Sequence, residues 1–424
     1  MSCFIGLPFS IDSSNFFPMS NRRTFLHTAG LAGTGLVTGL AAWPLHSRAT
    51  APSDQLRLGV IGTGGRGNWA ISVAQALTDI DVVACCDIYP PHLEKGLSLA
   101  APGAKGYTDY RRLLEAGDVD AVVIATPLHL HAQMAIDAID AGKHVYCEKT
   151  MTYDIASSLA VRTKARAHPE RVFQVGYQQR VNPLFARVYE TINKGYIGAV
   201  KYITCTWNRN GDWRRAVPSP ELERQINWRM YREYSGGLMA ELSSHQIDIV
   251  NWILGAHPLS VTGMGGIDYW KDGRETFDNV TAIFAYPEGV KAQFSCLTTN
   301  AKEGFSLKFY GTRATIEVNN AQGQAGFIYP EPQQGANDTD LDAVSGATKA
   351  ALEAGDPIPL WVPEAPTDDR LPTGNAFAHF YTCIRDGLVP NASVEAGHQA
   401  GVATHMANMA IREGRFVNWA ADYD

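Results

Sequence analysis

A glycine-rich turn between a strand and a helix constrains this chain more than any other stretch. Leu56-Arg57-Leu58-Gly59-Val60-Ile61 is a short, mostly apolar run of strand type. Gly62-Thr63-Gly64-Gly65-Arg66-Gly67 follows directly, and a helical pattern then runs from Trp69 to Leu77. The next strand, Asp81 to Cys86, ends in Asp87, 20 residues beyond Gly67. A lone G-x-G-x-x-G says little. Between strand and helix, with an acid at that distance, it marks a turn built to hold a dinucleotide. Gly62 allows the tight turn, Gly64 lets the backbone approach a pyrophosphate, and Gly67 lets helix and strand pack closely. Thr63, Gly65 and Arg66 complete the loop, and the free N–H groups of the helix N-terminus attract phosphate. Asp87 accepts hydrogen bonds from an adenosine ribose and repels a 2′-phosphate, and the following Ile88 and Tyr89 provide no arginine to receive one. NAD is therefore expected rather than NADP.

The alternation continues. Tyr110 to Ala116 reads as a helix, and Ala121-Val122-Val123-Ile124-Ala125 as a strand buried on both faces. Thr126-Pro127 ends it; His131 to Ala141 then makes a helix and His144 to Cys147 a strand. Strands and helices in strict alternation predict an α/β fold with a doubly wound parallel sheet, a Rossmann domain over residues 52–175. At 424 residues and 45% hydrophobic, the chain has room for further domains and is too apolar to be disordered. Its 36 basic residues are scattered against 43 acidic ones, which excludes an electrostatic footprint for nucleic acid. The seven cysteines show no zinc spacing, so no metal site is expected and they read as buried small hydrophobes.

Thr126-Pro127-x-x-x-His131, Ala141-Gly142-Lys143-His144-Val145, Glu148-Lys149 and Gly236-Gly237-x-x-x-Glu241-x-x-x-His245 together resemble the glucose–fructose oxidoreductase/inositol dehydrogenase (Gfo/Idh/MocA) family. With the glycine turn, these motifs cover about residues 56 to 320 in the family's order. Two positions depart from its pattern: Thr150 follows Lys149 where proline is usual, and Glu241 stands where aspartate is usual. The resemblance implies a second, α+β domain whose large, open, mostly antiparallel sheet covers the nicotinamide and joins subunits into a dimer or tetramer. It also implies that Lys149 contacts the reacting hydroxyl, that His245 is the acid/base, and that Thr126, Pro127, His131, Glu148, Lys149 and Gln178 line the cofactor. Oxidising a secondary alcohol needs a base for the hydroxyl proton, a donor for the developing alkoxide and a nicotinamide to take the hydride. Glu241 and His245 are four apart, so on a helix they share a face and Glu241 is expected to orient the imidazole.

The second domain is expected over 176–372. Val175-Gly176-Tyr177-Gln178-Gln179-Arg180 resembles the family's strand that returns beneath the nicotinamide. A helix from Pro183 to Lys194 precedes strands at Val200–Trp207, Ser260–Ile267, Asn279–Tyr286, Val290–Thr299, Phe305–Tyr310 and Ala314–Val318, with the helix Gly236–Leu254 inserted among them. Asn208-Arg209-Asn210-Gly211-Asp212-Trp213-Arg214-Arg215 and Asn227-Trp228-Arg229 mix rings, amides and guanidinium groups as sugar recognition requires. Arg180, Arg209, Trp228 and Arg229 are the candidate substrate contacts. A substrate carboxylate or phosphate would meet Arg209 or Arg229, and the sequence leaves that choice open. Residues 319–372 read as surface loops, and the helices of 373–424 (Asn375–Asp386 and one capped by Ser393) as packing back on the nucleotide domain.

Residues 1–51 read as an export signal. Asn21-Arg22-Arg23-Thr24-Phe25-Leu26, a Gly/Ala-rich run from Thr28 to Trp43 and the small-residue exit Ala49-Thr50-Ala51 resemble the twin-arginine type. The expected partner is the twin-arginine export machinery and the expected location the periplasm, with an uncleaved membrane anchor and a start at Met19 as alternatives. The whole then reads as an exported oxidoreductase with tightly bound NAD, acting on a secondary alcohol of a sugar, glycoside or cyclitol. Two other readings stay open: a glycosidase that oxidises, eliminates and reduces, similar to the family's α-N-acetylgalactosaminidase branch, and a non-catalytic NAD-bound scaffold.

Overall fold

The computed structural model describes residues 55–319, 325–331, 357–360 and 370–424. The expected export segment, 1–51, lies outside them, as does most of the stretch from 319 to 372. In the first half, β1 (Leu56–Ile61), α1 (Gly65–Ala74), β2 (Ile80–Cys86), α2 (Pro90–Leu99), β3 (Lys105–Tyr107), α3 (Tyr110–Leu114), β4 (Ala121–Ile124), α4 (His131–Asp140), β5 (His144–Cys147), α5 (Ile155–Ala167) and β6 (Phe173–Val175) alternate. The strands form one parallel sheet in the order β3-β2-β1-β4-β5-β6. The order in which strands are added reverses between β1 and β4, which is where such sheets open a ligand crevice at their carboxyl ends. All four residues of β4 are buried, as helices on both faces demand. Two helices escape the apolar pattern. Only Gly96 of α2 is buried, and α5 owes its start to a capping box between Asp154 and Ser157.

The second half contributes α6 (Pro183–Asn193), β7 (Val200–Trp207), the short α7 (Glu223–Ile226), α8 (Ser244–Leu254), β8 (Ser260–Gly266), β9 (Asn279–Ala285), β10 (Lys291–Leu297), β11 (Phe305–Gly311), β12 (Ala314–Asn319), β13 (Ala325–Pro330), β14 (Ile358–Pro359), α9 (Arg370–Asp386), α10 (Val394–Glu413) and β15 (Val417–Asn418). Among the described residues these strands form one sheet in the order β14-β13-β12-β11-β7-β10-β9-β8-β15, antiparallel except for the β7–β10 pair. Burial alternates along β10 and β12, so one face is covered and the other open. The covered side lies against α8, whose Gln246 donates to the carbonyls of Thr206 on β7 and Ser306 on β11, both at 3.0 Å. Tyr202, Ile283, Tyr310 and Tyr329 stand exposed on the sheet.

Three expectations change. Residues 325–330 and 358–359, read as loop, are sheet strands. The strand expected through Arg180 stops at Val175, and Gln178–Val181 is a turn of 3-10 helix. The helix expected from Asn375 starts at Arg370, with Pro372 in its first turn where a missing N–H costs nothing. That helix, α9, inserts Phe377 and Phe380 against Tyr146 of β5, with ring centroids 4.8 and 5.7 Å apart. Each buried phenylalanine contributes about 1.5–3 kcal/mol.

Candidate active site

The glycine turn can be tested position by position. Gly62 has φ +88°, and a Cβ there would lie 2.8 Å from the main chain of Ala125 on the neighbouring strand's end. At Gly67 a Cβ would lie 1.8 Å from the oxygen of Gly62. The protein's own packing therefore requires both glycines. Gly64 differs: its φ is an ordinary −67°, and an added Cβ would meet only the His92 ring, at 3.6 Å. Among the described residues nothing demands glycine at that point, so the bare backbone there fits a ligand that comes close. Among the described residues no side chain caps α1 behind this turn, which leaves its first N–H groups for an anion. The buried Oδ1 of Asn68, in the first turn of α1, and Oε1 of Gln178, just past β6, lack hydrogen-bond partners among the described residues. These residues fit a dinucleotide. Asp87 ends β2 with its carboxylate fixed by the N–H groups of Thr63 (2.8 Å) and Tyr89 (2.9 Å).

The end of β5 delivers Glu148, Lys149 and Thr150. Glu148 is buried and accepts from Arg66 Nε of the glycine turn at 2.7 Å, so the motif acid and the turn's arginine hold each other. Lys149 Nζ donates to the Glu241 carbonyl at 2.9 Å, and the Thr150 hydroxyl donates to the Ala240 carbonyl at 3.0 Å. A proline at 150 could not make that second tie. The Lys149–Thr150 peptide bond is cis. Burial lowers the pKa of Lys149; the charges of Glu241 and Glu148 oppose this, while Arg229 and Arg66 add to it. His131 lies between two main-chain segments. Expected on the cofactor side, it is buried with Nδ1 3.0 Å from the Thr150 oxygen and Nε2 3.0 Å from the Thr126 oxygen. Both ring nitrogens face main-chain oxygens, so the ring's N–H ties His131 to the loop after β4 or the loop after β5 and the ring sits between the two.

Met239–Ser243 forms a turn of π-helix leading into α8, a feature often found at functional sites. His245 follows in the first turn of α8, buried, between the rings of Trp207 (5.4 Å) and Tyr177 (6.1 Å). Its nitrogens have no hydrogen-bond partner among the described residues. Burial, then the charges of Lys149, Arg66 and Arg209, hold its pKa well below the usual imidazole value. Glu241 does not orient it, contrary to the four-residue spacing. The Glu241 carboxylate accepts from Arg229 Nε at 2.9 Å, because a guanidinium makes a stronger, charge-assisted bond than a neutral ring. Burial pushes the Glu241 carboxyl up, but Arg229 and Lys149 outweigh it and the net shift is downward.

The same pairing separates the candidate arginines. Arg229 is engaged with Glu241 and lies over the Trp228 ring, 4.2 Å from its centroid. Arg209 is exposed, lies 5.7 Å from the Trp207 centroid and contributes its charge to His245. Arg180, the third candidate, has its guanidinium drawn into a buried ion pair with Asp248 at 2.9 Å, which braces α8. Motif reading missed Tyr177, Trp207 and the Arg66–Glu148 pair. Trp207, ending β7 before the Asn208-Arg209 loop, was the one with a sequence signal.

Comparison with known proteins agrees with this geometry. Residues 56–177 match a family described as "Oxidoreductase family, NAD-binding Rossmann fold", and residues 185–317 match the "GFO/IDH/MocA C-terminal domain", together more than half of the chain. An inositol 2-dehydrogenase of Rhizobium meliloti is 28% identical over 272 residues, 63% of this chain and 74% of that protein. Among solved structures, an oxidoreductase domain protein from Kribbella flavida (TM-score 0.71, 19% identity) covers 86% of this chain and 99% of its own. Levoglucosan dehydrogenase in complex with NADH and levoglucosan (TM-score 0.68, 19% identity) covers the same shares. At such identities the structures share the fold.

Proposed function

Since the chain belongs to the Gfo/Idh/MocA family of NAD-binding oxidoreductases, we propose that it moves a hydride between NAD and a secondary alcohol of a sugar or cyclitol. The observation that carries this reading is the meeting of Lys149 with the Glu241 carbonyl, which sets the amine and the His245 segment together beside the glycine turn. When bound, the nicotinamide supplies the carbon that takes up or returns the hydride. His245, kept unprotonated at neutral pH by burial and cationic neighbours, accepts the hydroxyl proton and returns it in the reverse direction. Lys149 donates a hydrogen bond to the reacting oxygen as negative charge develops there. Glu241 holds Arg229 over Trp228, and the Trp207 and Trp228 rings offer apolar faces to a sugar's C–H bonds. The substrate class is supported by the inositol 2-dehydrogenase and levoglucosan dehydrogenase among similar proteins.

Asp87, fixed at the end of β2, supports NAD over NADP. The Arg22-Arg23 segment supports export of the folded protein to the periplasm, and the exposed Tyr202, Ile283, Tyr310 and Tyr329 support self-association through the sheet. The test is a panel of cyclitols, aldoses, glycosides and their keto forms with NAD and NADP, followed by absorbance of the reduced nicotinamide. NADH formation with a sugar or cyclitol, and much less NADPH, is expected. Nitrophenol release from p-nitrophenyl glycosides without net NADH would replace this reading with oxidation–elimination–reduction, and silence across the panel with cofactor bound would overturn it.

A further inference from the structure

The loop after β7 is held at nearly every residue. Arg209 and Gly211 donate from their main-chain nitrogens to the carbonyls of Leu297 and Thr298 at 2.8 and 2.9 Å, and Asn210 bridges to Thr299. Arg214 binds Glu223 and the Asp272 main chain, while Arg274 ties Asp272 to the Asp212 carbonyl. Trp213 adopts φ +63°, a left-handed conformation that costs a tryptophan energy and persists only when its surroundings impose it. Arg215 comes next. Its main-chain N–H donates to Asn227 Oδ1 at 2.7 Å and its carbonyl accepts from Asn227 Nδ2 at 3.0 Å, with Asn227 fully buried. The guanidinium at the end of this braced segment has no hydrogen-bond or ion-pair partner among the described residues. It lies over Gly65: a Cβ added there would be 3.2 Å from Nη2, 3.6 Å from Nη1 and 3.8 Å from Cζ.

We propose that Arg215 is a cofactor-retaining residue: the second domain reaches across to the glycine turn and places this guanidinium on the pyrophosphate of the bound dinucleotide. The inference rests on the reading of the turn as the dinucleotide site. A planar guanidinium matches phosphate oxygens in pairs, and α1 opens toward the same anion with uncapped N–H groups. Glycine at 65 gives the arginine room to lie flat on the first helical turn. One contact would then span two domains, so release of the dinucleotide requires Arg215 to let go.

The test uses the purified full chain, stripped of cofactor, and compares Arg215→Gln and Arg215→Lys with the parent. NADH is titrated by fluorescence, and ADP-ribose and adenosine by calorimetry. Arg215→Gln is expected to weaken NADH and ADP-ribose by about tenfold or more, to speed NADH release and to flatten the salt dependence of binding. Adenosine binding and the melting temperature are expected to stay at the parent's values, and Arg215→Lys to recover part of the loss. Unchanged NADH and ADP-ribose affinity in Arg215→Gln would overturn the clamp and leave the NAD reading standing. An equal loss for adenosine would overturn it too, by showing a structural role. A parent chain that binds neither NADH nor NADPH would remove the reading of the turn itself, and the clamp with it.

Discussion

Lys149 donates its Nζ hydrogen bond to the main-chain oxygen of Glu241 at 2.9 Å, so the end of the parallel sheet and the approach to the His245 helix are joined through the amine itself. Replacing that amine removes a donor to the substrate and only one tie between the segments, since Thr150 still holds Ala240. Lys149→Met is expected to lower kcat by about 10²–10³-fold, the usual span for a lost donor to a developing oxyanion. NADH affinity should stay near the parent value. A variant that loses NADH binding and turnover together would show that the lysine is structural.

The glycine turn separates packing from binding. Gly67→Ala forces a Cβ to 1.8 Å from the Gly62 oxygen and should destabilise the fold by more than about 3 kcal/mol, seen as a large fall in Tm. Gly64→Ala meets nothing closer than 3.6 Å among the described residues and should melt like the parent. Its NADH affinity should nevertheless fall by about tenfold or more. Normal NADH binding by the Gly64 variant would contradict the close approach of a ligand at that point.

The pH response follows from the cations around His245. Burial, then Lys149, Arg66 and Arg209, disfavour the imidazolium, so protonation sets in only well below the ordinary histidine range. Alcohol oxidation needs the neutral ring, and the acid limb of kcat/KM is expected well under pH ~6.5. Arg209→Gln removes one repulsive charge, which favours the protonated ring and moves that limb to higher pH. A limb that stays still, or shifts to lower pH, would exclude His245 as the group that titrates.

A stability prediction concerns Arg180 and Asp248. Arg180→Met strands a buried carboxylate, at a cost of about 3–5 kcal/mol near neutrality. Burial already raises the Asp248 pKa above its unfolded value, against the pull of Arg180. An acid with a raised folded pKa loses folding stability as pH climbs from the unfolded value toward the folded one. Without Arg180 that window widens, so the variant's deficit should shrink on acidification toward about pH 4. Denaturant titrations at several pH values check it; a deficit independent of pH would mean that lost packing, not stranded charge, is the cause.

Much of this architecture can be read from the chain because it is local. Most strands of the two sheets follow from apolar runs and period-two alternation, and the glycine turn is placed by its flanking strand and helix; the short β3, β14 and β15, and β13 among the expected loops, do not. The polar helices α2 and α5 escape because little of their surface is buried and a capping box leaves no apolar trace. Site residues are another matter. Lys149 and His245 stand out within motifs, but Glu241 meets Arg229 rather than His245, and Arg180, a candidate substrate contact, pairs with Asp248. Those choices depend on which charges the tertiary fold brings within 3 Å, and spacing along the sequence does not encode them. Arg215 over Gly65 is the extreme case, with two domains supplying one contact.

The wedge of Phe377 and Phe380 behind Tyr146 also sets an order of events during synthesis. The half of the molecule made first lacks part of its interior until α9 leaves the ribosome, so a nascent chain stalled before Arg370 presents an oily cleft to chaperones and proteases. Maturation of the nucleotide-binding half is thereby deferred to the end of translation.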